Sequence, residues 1–229
     1  MTAHKTRVLI VDDEPQILRF LRTTLTANGF DVVEAATGAE ALRHAAADAP
    51  DVIVLDLGLP DMDGRDVLKK LREWSEVPVV VLSARAREPE KIEALDAGAD
   101  DYVNKPFGIG ELMARLRAAL RHRLKREGVQ PVFKLGTFAV DLVKRIVKRD
   151  TTQIHLTPKE YDLLRVLVQN AGKVVTQRQL LEAVWGPAHV EDASYLRVYV
   201  GQLRRKIEAE GEAVIIENEP GVGYRLRDE

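Results

Sequence analysis

Residues 52–64 read VIVLDLGLPDMDG. Four apolar residues run straight into an acid, Asp56, and then into a turn containing Gly58 and Pro60. A short, unbroken apolar run suits a strand covered on both faces, as in parallel sheets. Outward from this segment the arrangement recurs. Residues 8–11 lead into Asp12 and Asp13, residues 79–82 into Ser83, and residues 102–104 into Lys105. Strands are predicted at 7–11, 31–34, 51–55, 77–82 and 101–104, with helical patterns between them. In the first helix Ile17, Phe20, Leu21 and Leu25 recur at three- and four-residue spacing, and Gly29 ends it. Later helices are predicted at about 38–47, 65–74, 88–97 and 109–123. Five βα units predict an α/β domain with a five-stranded, doubly wound parallel sheet. In such a sheet the carboxyl ends of adjacent strands open on one crevice.

That crevice gathers Asp12, Asp13, Asp56, Ser83 and Lys105. Taken singly, each acid reads equally well as a helix cap or a solvated loop residue. Five such groups at four strand ends point to a site. Three carboxylates share a small space only if a cation neutralises them. Mg²⁺ takes octahedral oxygen ligands and keeps several waters, with one or two carboxylates and phosphate oxygens. Asp13 and Asp56 are the expected direct ligands, Asp12 acts through water, and the Gly58 carbonyl adds an oxygen. Asp56 is also a candidate nucleophile that forms an aspartyl phosphate. Lys105 and Ser83 would meet the charge on the phosphoryl oxygens.

The composition limits the alternatives. The chain has 229 residues, 45% hydrophobic and 31% charged, with no Cys. Disulfides and cysteine-based metal sites are excluded. Residues 8–11 are too short for a signal peptide and no apolar run approaches a membrane span, so a cytoplasmic protein without membrane contact is expected. Residues 1–124 carry 17 Lys+Arg against 21 Asp+Glu, and residues 125–229 carry 17 against 15. An anionic partner therefore belongs to the second half. A phosphohydrolase would need an acid two residues after Asp56, where Gly58 stands. A dinucleotide fold would need a Gly-rich turn after the first strand, where Asp12, Asp13, Glu14 and Pro15 stand. The expected protein is not an enzyme.

The alternation stops near Arg123. Residues 1–124 read as one domain, 125–131 as a linker and 132–229 as a second, α+β domain. The second opens with a β-rich stretch at about 132–156. Thr157, Pro158 and Glu160 form a helix start with a capping box. Further helices are predicted at 176–185 and 192–208, then a hairpin at 214–217 and 224–226 with a turn at Pro220 and Gly221. The helix 192–208 buries Leu196, Val200, Leu203 and Ile207 and turns small, polar and cationic groups outward. That pattern suits a major groove, and it also describes an ordinary charged surface helix.

The motifs VLIVDDE, VLDLGLPDMDG, VLSAR and DDYVNKPF together resemble the receiver domain of bacterial response regulators, over residues 5–124. The resemblance implies that Asp56 accepts phosphate from a sensor histidine kinase. It implies that Ser83 and Tyr102 form a switch pair, with Tyr102 turning inward on phosphorylation, and that Lys105–Pro106 is cis. Tyr102 also reads as a plain edge-strand aromatic. Receivers of the OmpR/PhoB type dimerise through the fourth and fifth helices. Here that implies an apolar centre of Ile92, Leu95 and Ala114. Around it Lys91 would pair with Glu111, Asp96 with Arg117 and Asp101 with Arg115 across a two-fold axis on phosphorylation. The bland reading is a solvated charged face.

LTPKEYDLLRVLVQNAGKVVTQRQLLEAVWG, YLRVYVGQLRRKIE and GVGYRL are similar to the winged helix-turn-helix effector of the same family, over roughly 132–227. By that resemblance Arg197, Val198 and Gln202 face bases of double-stranded promoter DNA. Tyr199, Arg204 and Arg205 face phosphates, and Thr176, Gln177 and Arg178 open a helix toward the backbone. RNA polymerase is a further implied partner. Gly201–Gln202 and Pro220 depart from arginines common in the family, so base preference does not carry over. LREWSEVPVVVLSAR, KPFGIGEL and VTQRQLLEAVWGP are similar to regulators of high-affinity K⁺ uptake operons. A receiver with a protein-binding output is the alternative.

Overall fold

The computed structural model describes residues 6–84, 88–190, 192–208 and 214–228. The chain divides into two compact units between Glu127 and Gly128.

The first unit runs β1 (Arg7–Val11), α1 (Pro15–Ala27), β2 (Asp31–Ala35), α2 (Gly38–Asp48), β3 (Val52–Asp56), α3 (Gly64–Arg72), β4 (Val79–Ser83), α4 (Glu88–Asp96), β5 (Asp101–Asn104) and α5 (Ile109–Arg126). The strands are parallel, in the order β2-β1-β3-β4-β5. The winding reverses between β1 and β3, so the crevice lies above their carboxyl ends. Every residue of β3 and β4 is buried, as their continuous apolar text requires. Pro15 opens α1 where its missing N–H costs nothing. Gly29 follows the helix at φ 88°, in the left-handed region. The helix expected to stop at 123 continues to Arg126. Arg123, Lys125 and Arg126 form its last turn, where cations suit the helix dipole, and the chain first turns left-handed at Gly128. The linker expected from 125 is correspondingly shorter.

The second unit begins with an antiparallel sheet of β6 (Val132–Leu135), β7 (Phe138–Asp141), β8 (Ile146–Arg149) and β9 (Thr152–Gln153). It continues with α6 (Pro158–Gln169), β10 (Val174–Thr176), α7 (Gln177–Trp185), α8 (Ala193–Ile207), β11 (Ile216–Glu219) and β12 (Gly223–Leu226). The terminal hairpin is shifted from the expected 214–217 and 224–226. It is also part of a three-stranded sheet, β10-β12-β11. A Cβ on Gly223 would lie 2.0 Å from the Val175 carbonyl oxygen, so only glycine lets β12 lie this close to β10.

The capping box at Thr157 is present, and it does more than start α6. Glu160 Oε2 accepts from the Thr157 N–H at 2.7 Å and from Lys206 Nζ at 2.6 Å, linking α6 to α8. Burial pushes the Glu160 carboxyl up, but the bonds from Lys206 and Thr157 outweigh it and hold the pKa below the usual carboxylate value. A depressed carboxylate pKa gives stability that is present above the unfolded pKa and lost as pH falls through the folded one. Glu160→Gln is expected to destabilise this unit by about 1–3 kcal/mol at neutral pH, with the difference shrinking below about pH 4. Urea unfolding followed by Trp185 fluorescence, in a Trp74→Phe background, measures both.

Candidate functional site

The five strand-end groups of the first unit divide between one buried cluster and its rim. Asp12, Asp56 and Ser83 are buried, while Asp13 is exposed. Carboxylate oxygens of Asp12, Asp13 and Asp56 all lie within 4.8 Å of one another. Lys105 Nζ donates to Asp12 Oδ2 at 2.7 Å and to Asp56 Oδ2 at 2.8 Å. The Lys105–Pro106 bond is cis. Asp12 is held from its other side, where Oδ1 accepts the Glu14 N–H at 3.0 Å. Asp56 Oδ1 accepts the Gly58 N–H at 3.3 Å. Glu14, not expected at the site from the sequence, adds a fourth carboxylate to the cluster and the third in reach of Lys105, at 3.5 Å. Its only signal was its place after the acid pair.

Burial pushes the Asp12 carboxyl above its usual range, against the pull of Lys105. Burial alone would depress Lys105, but its bonds to Asp12 and Asp56 dominate and raise it. The upward Asp12 shift reflects its burial, and the upward Lys105 shift reflects the two carboxylates it bridges. The donor set is all oxygen, partly buried and partly open, and is able to hold a metal ion.

Tyr102 stands on the edge strand β5, yet the residue is 4% exposed and joins the core cluster with Val81 and Ala94. The expected inward turn on phosphorylation presumes an outward ring; here the ring is already inside. Nearby, Ile92 and Leu95 are exposed at 51% and 39%. Lys91, Asp96, Glu111, Ala114 and Arg115 are exposed beside them, with Asp101 and Arg117 half-buried. Arg115 was expected to reach across a dimer. It bonds its own Asp101 at 3.1 Å and its own Glu111 at 3.6 Å. The two acids lie within one side chain's reach on the same surface, so of the three expected pairs Asp101 with Arg115 closes within the chain.

In the second unit α8 buries Leu196, Val200, Leu203 and Ile207. Arg197, Val198 and Arg205 are exposed, and Gln202 and Tyr199 are half-buried. Val198 is 54% exposed. The Tyr199 ring packs edge-on to Trp185 and Tyr195, at 5.1 and 5.0 Å. Thr176 caps α7, its Oγ accepting the Gln179 N–H at 3.2 Å, and Arg178 is exposed in the first turn. Arg204 differs from the phosphate-facing expectation. Its Nε donates to the Ile216 carbonyl at 3.0 Å and its guanidinium lies over Tyr224 at 6.0 Å. The start of β11 leaves that carbonyl beside the helix, and Arg204 is the cation within reach.

This architecture defines a phosphorylation-receiving domain joined to a DNA-binding one. The description "Response regulator receiver domain" matches residues 8–117 and "Transcriptional regulatory protein, C terminal" matches residues 151–226. The chain belongs to the response regulators of the OmpR/PhoB type, transcription regulators with a receiver and a DNA-binding output. It is 54% identical over 222 residues to the KDP operon transcriptional regulatory protein KdpE of Escherichia coli strain K12, covering 96% of this chain and 99% of that one. It is 53% identical over 223 residues to the transcriptional regulatory protein KdpE of Mycobacterium tuberculosis strain H37Rv, at the same coverage. Among solved structures it is similar to the CheY-like receiver domain protein of Methanospirillum hungatei JF-1. The TM-score is 0.51 at 30% identity, over 53% of this chain and 98% of that one. The family pairs a sensor kinase with promoter DNA. Among the described residues, no helix is long and apolar enough to cross a membrane.

Proposed function

We propose that the chain is a Mg²⁺-dependent phosphoacceptor that controls a K⁺ uptake operon of the kdp kind and serves a KdpD-like sensor kinase in the cytoplasm. The observation that carries the reading is Lys105 bridging Asp12 and Asp56 beside Asp13. Asp13, Asp56 and the Gly58 carbonyl would hold the cation, with Asp12 acting through water. When bound, Mg²⁺ supplies positive charge to the phosphoryl oxygens. An Asp56 oxygen attacks phosphorus on the kinase's phosphohistidine. The O–P bond forms as the P–N bond breaks, and the imidazole leaves with the electron pair. Lys105 and Ser83 meet the oxygens of the transferred group.

The new acceptor oxygens favour a Ser83 position turned toward them, and the inward Tyr102 ring is the arrangement this selects. The α4–β5–α5 face then dimerises around Ile92, Leu95 and Ala114. Arg115 exchanges its own Asp101 for the partner's, while Lys91 with Glu111 and Asp96 with Arg117 complete the rim. Residues 132–229 form the DNA-binding domain. Arg197, Val198 and Gln202 read bases, Tyr199, Arg205, Thr176 and Arg178 lie along the backbone, and RNA polymerase is the onward partner. The identity to KdpE proteins over nearly the whole chain supports the operon assignment.

The test is binding to duplexes carrying tandem half-sites about one helical turn apart. Acetyl phosphate with Mg²⁺ is expected to tighten binding to the tandem site and not to a single half-site. Arg115→Glu is expected to lose that gain and keep single-site affinity. Equal tightening on both duplexes would reject phosphorylation-driven dimerisation.

A further inference from the structure

The turn between β3 and α3, residues 57–63, is fastened at three places. Near its start Gly58 pairs with Asp63 in an isolated antiparallel bridge. At its end Asp63 accepts the Arg65 N–H at 2.9 Å, and the Gly64 N–H donates to the Leu57 carbonyl at 3.0 Å. A Cβ on Gly64 would lie 2.4 Å from the Asp56 carbonyl oxygen, so the two ends of the turn touch. The third fastening reaches another helix. Asp61 Oδ1 accepts the Gly38 N–H at 2.8 Å, and Oδ2 accepts the Ala39 N–H at 3.0 Å. These are opening N–H groups of α2, which have no partner inside their own helix. The next one, on Glu40, is taken by Thr37 Oγ at 3.1 Å. Beside Asp61 the Met62 side chain seats on Gly38, where a Cβ would come within 2.5 Å of it.

The middle of the phosphoacceptor turn is therefore held by α2 and not by its own strand or helix. Gly58 lies three residues before Asp61 in the same turn, and its N–H donates to Asp56 Oδ1 at 3.3 Å, so the place at which the turn is pinned bears on the Gly58 backbone beside Asp56. We infer that Asp61 is a positioning residue for the phosphoacceptor site. By pinning the turn to α2 it fixes the Gly58 carbonyl relative to Asp56 and sets the affinity for the cation. The inference rests on the reading of Asp13, Asp56 and Gly58 given above. Asp61 touches none of the reacting atoms.

The test is Mg²⁺ titration of the full chain by calorimetry, with thermal melting in EDTA alongside. Wild type is expected to bind, and Asp13→Asn to lose binding. Asp61→Ala is expected to raise the Mg²⁺ Kd about tenfold, the low end for groups that orient metal ligands. Asp61→Asn keeps one acceptor oxygen and is expected to fall between. With acetyl phosphate, Asp61→Ala should need more Mg²⁺ and keep most of the rate at saturation. An unchanged Mg²⁺ Kd in Asp61→Ala, with only a lower melting temperature, would make Asp61 a helix cap alone and overturn the inference. Mg²⁺ binding that survives Asp13→Asn would overturn the reading of the site itself, and the inference with it, without reference to any Asp61 variant.

Discussion

A full-length protein carrying Asp56→Asn is expected to fold and to gain no phosphoryl mass when incubated with Mg²⁺ and acetyl phosphate. The side chains are nearly equal in shape. The amide keeps an acceptor oxygen for the Gly58 N–H or for Lys105, so the contacts around it survive in weaker form. What is lost is the anionic oxygen that attacks phosphorus. Lys105→Ala leaves that oxygen in place but removes the ammonium at 2.8 Å from it. It is expected to slow transfer by roughly 10²–10³-fold, the usual cost of losing one preorganised charge stabiliser. Intact-mass time courses separate the two results. Phosphoryl uptake by Asp56→Asn at the wild-type rate would move the acceptor to another residue.

The second large effect is expected on α8. Arg197→Ala and Gln202→Ala should each cost about 1–3 kcal/mol of specific binding and relax preference at one base position. Arg205→Ala should weaken all sequences alike and lower the salt slope by about one. Arg204→Ala should behave differently, because its guanidinium serves the Ile216 carbonyl. It is expected to lower the melting temperature of the second unit and blur preference at several positions together. An unchanged melting temperature with a salt slope reduced by about one would return Arg204 to the phosphate backbone. Selection from random duplexes reads the base preferences, binding titrations at several salt concentrations read the salt slopes, and thermal melts read the Arg204→Ala effect on the second unit. Pro220 is exposed and has no backbone N–H, so the wing tip is expected to add little minor-groove reading.

The sheet was legible because its strands are short apolar runs ending in polar groups, and a doubly wound topology brings such ends together. The crevice of Asp12, Asp56 and Lys105 followed from that alone. Strand β10 was not legible. It has three residues between two helices, and its partner β12 lies about fifty positions on, too far for any local pattern to show. Arg204 and Arg205 are neighbours of one kind in the sequence, and nothing local says which turns inward. That depends on where the Ile216 carbonyl ends. Asp61 was legible only as a turn residue, since the N–H groups that use it lie 23 and 22 positions earlier. The position of the Tyr102 ring likewise depends on packing around an edge strand, where alternation alone says little.

Arg204 and Glu208 stand one helical turn apart at the end of α8. Between them they take both polar groups of one residue's backbone: Arg204 donates to the Ile216 carbonyl, and Glu208 Oε1 accepts the Ile216 N–H at 3.0 Å. Glu208 takes the Ile215 N–H as well, at 2.9 Å. The angle between α8 and the β11–β12 hairpin is thereby set at the joint, before any duplex arrives. A protein engineer who rewrites positions 197, 198 and 202 inherits that angle unchanged. One who transplants the wing without residues 204 and 208 loses it. The transferable cassette is the helix, the joint and the wing together.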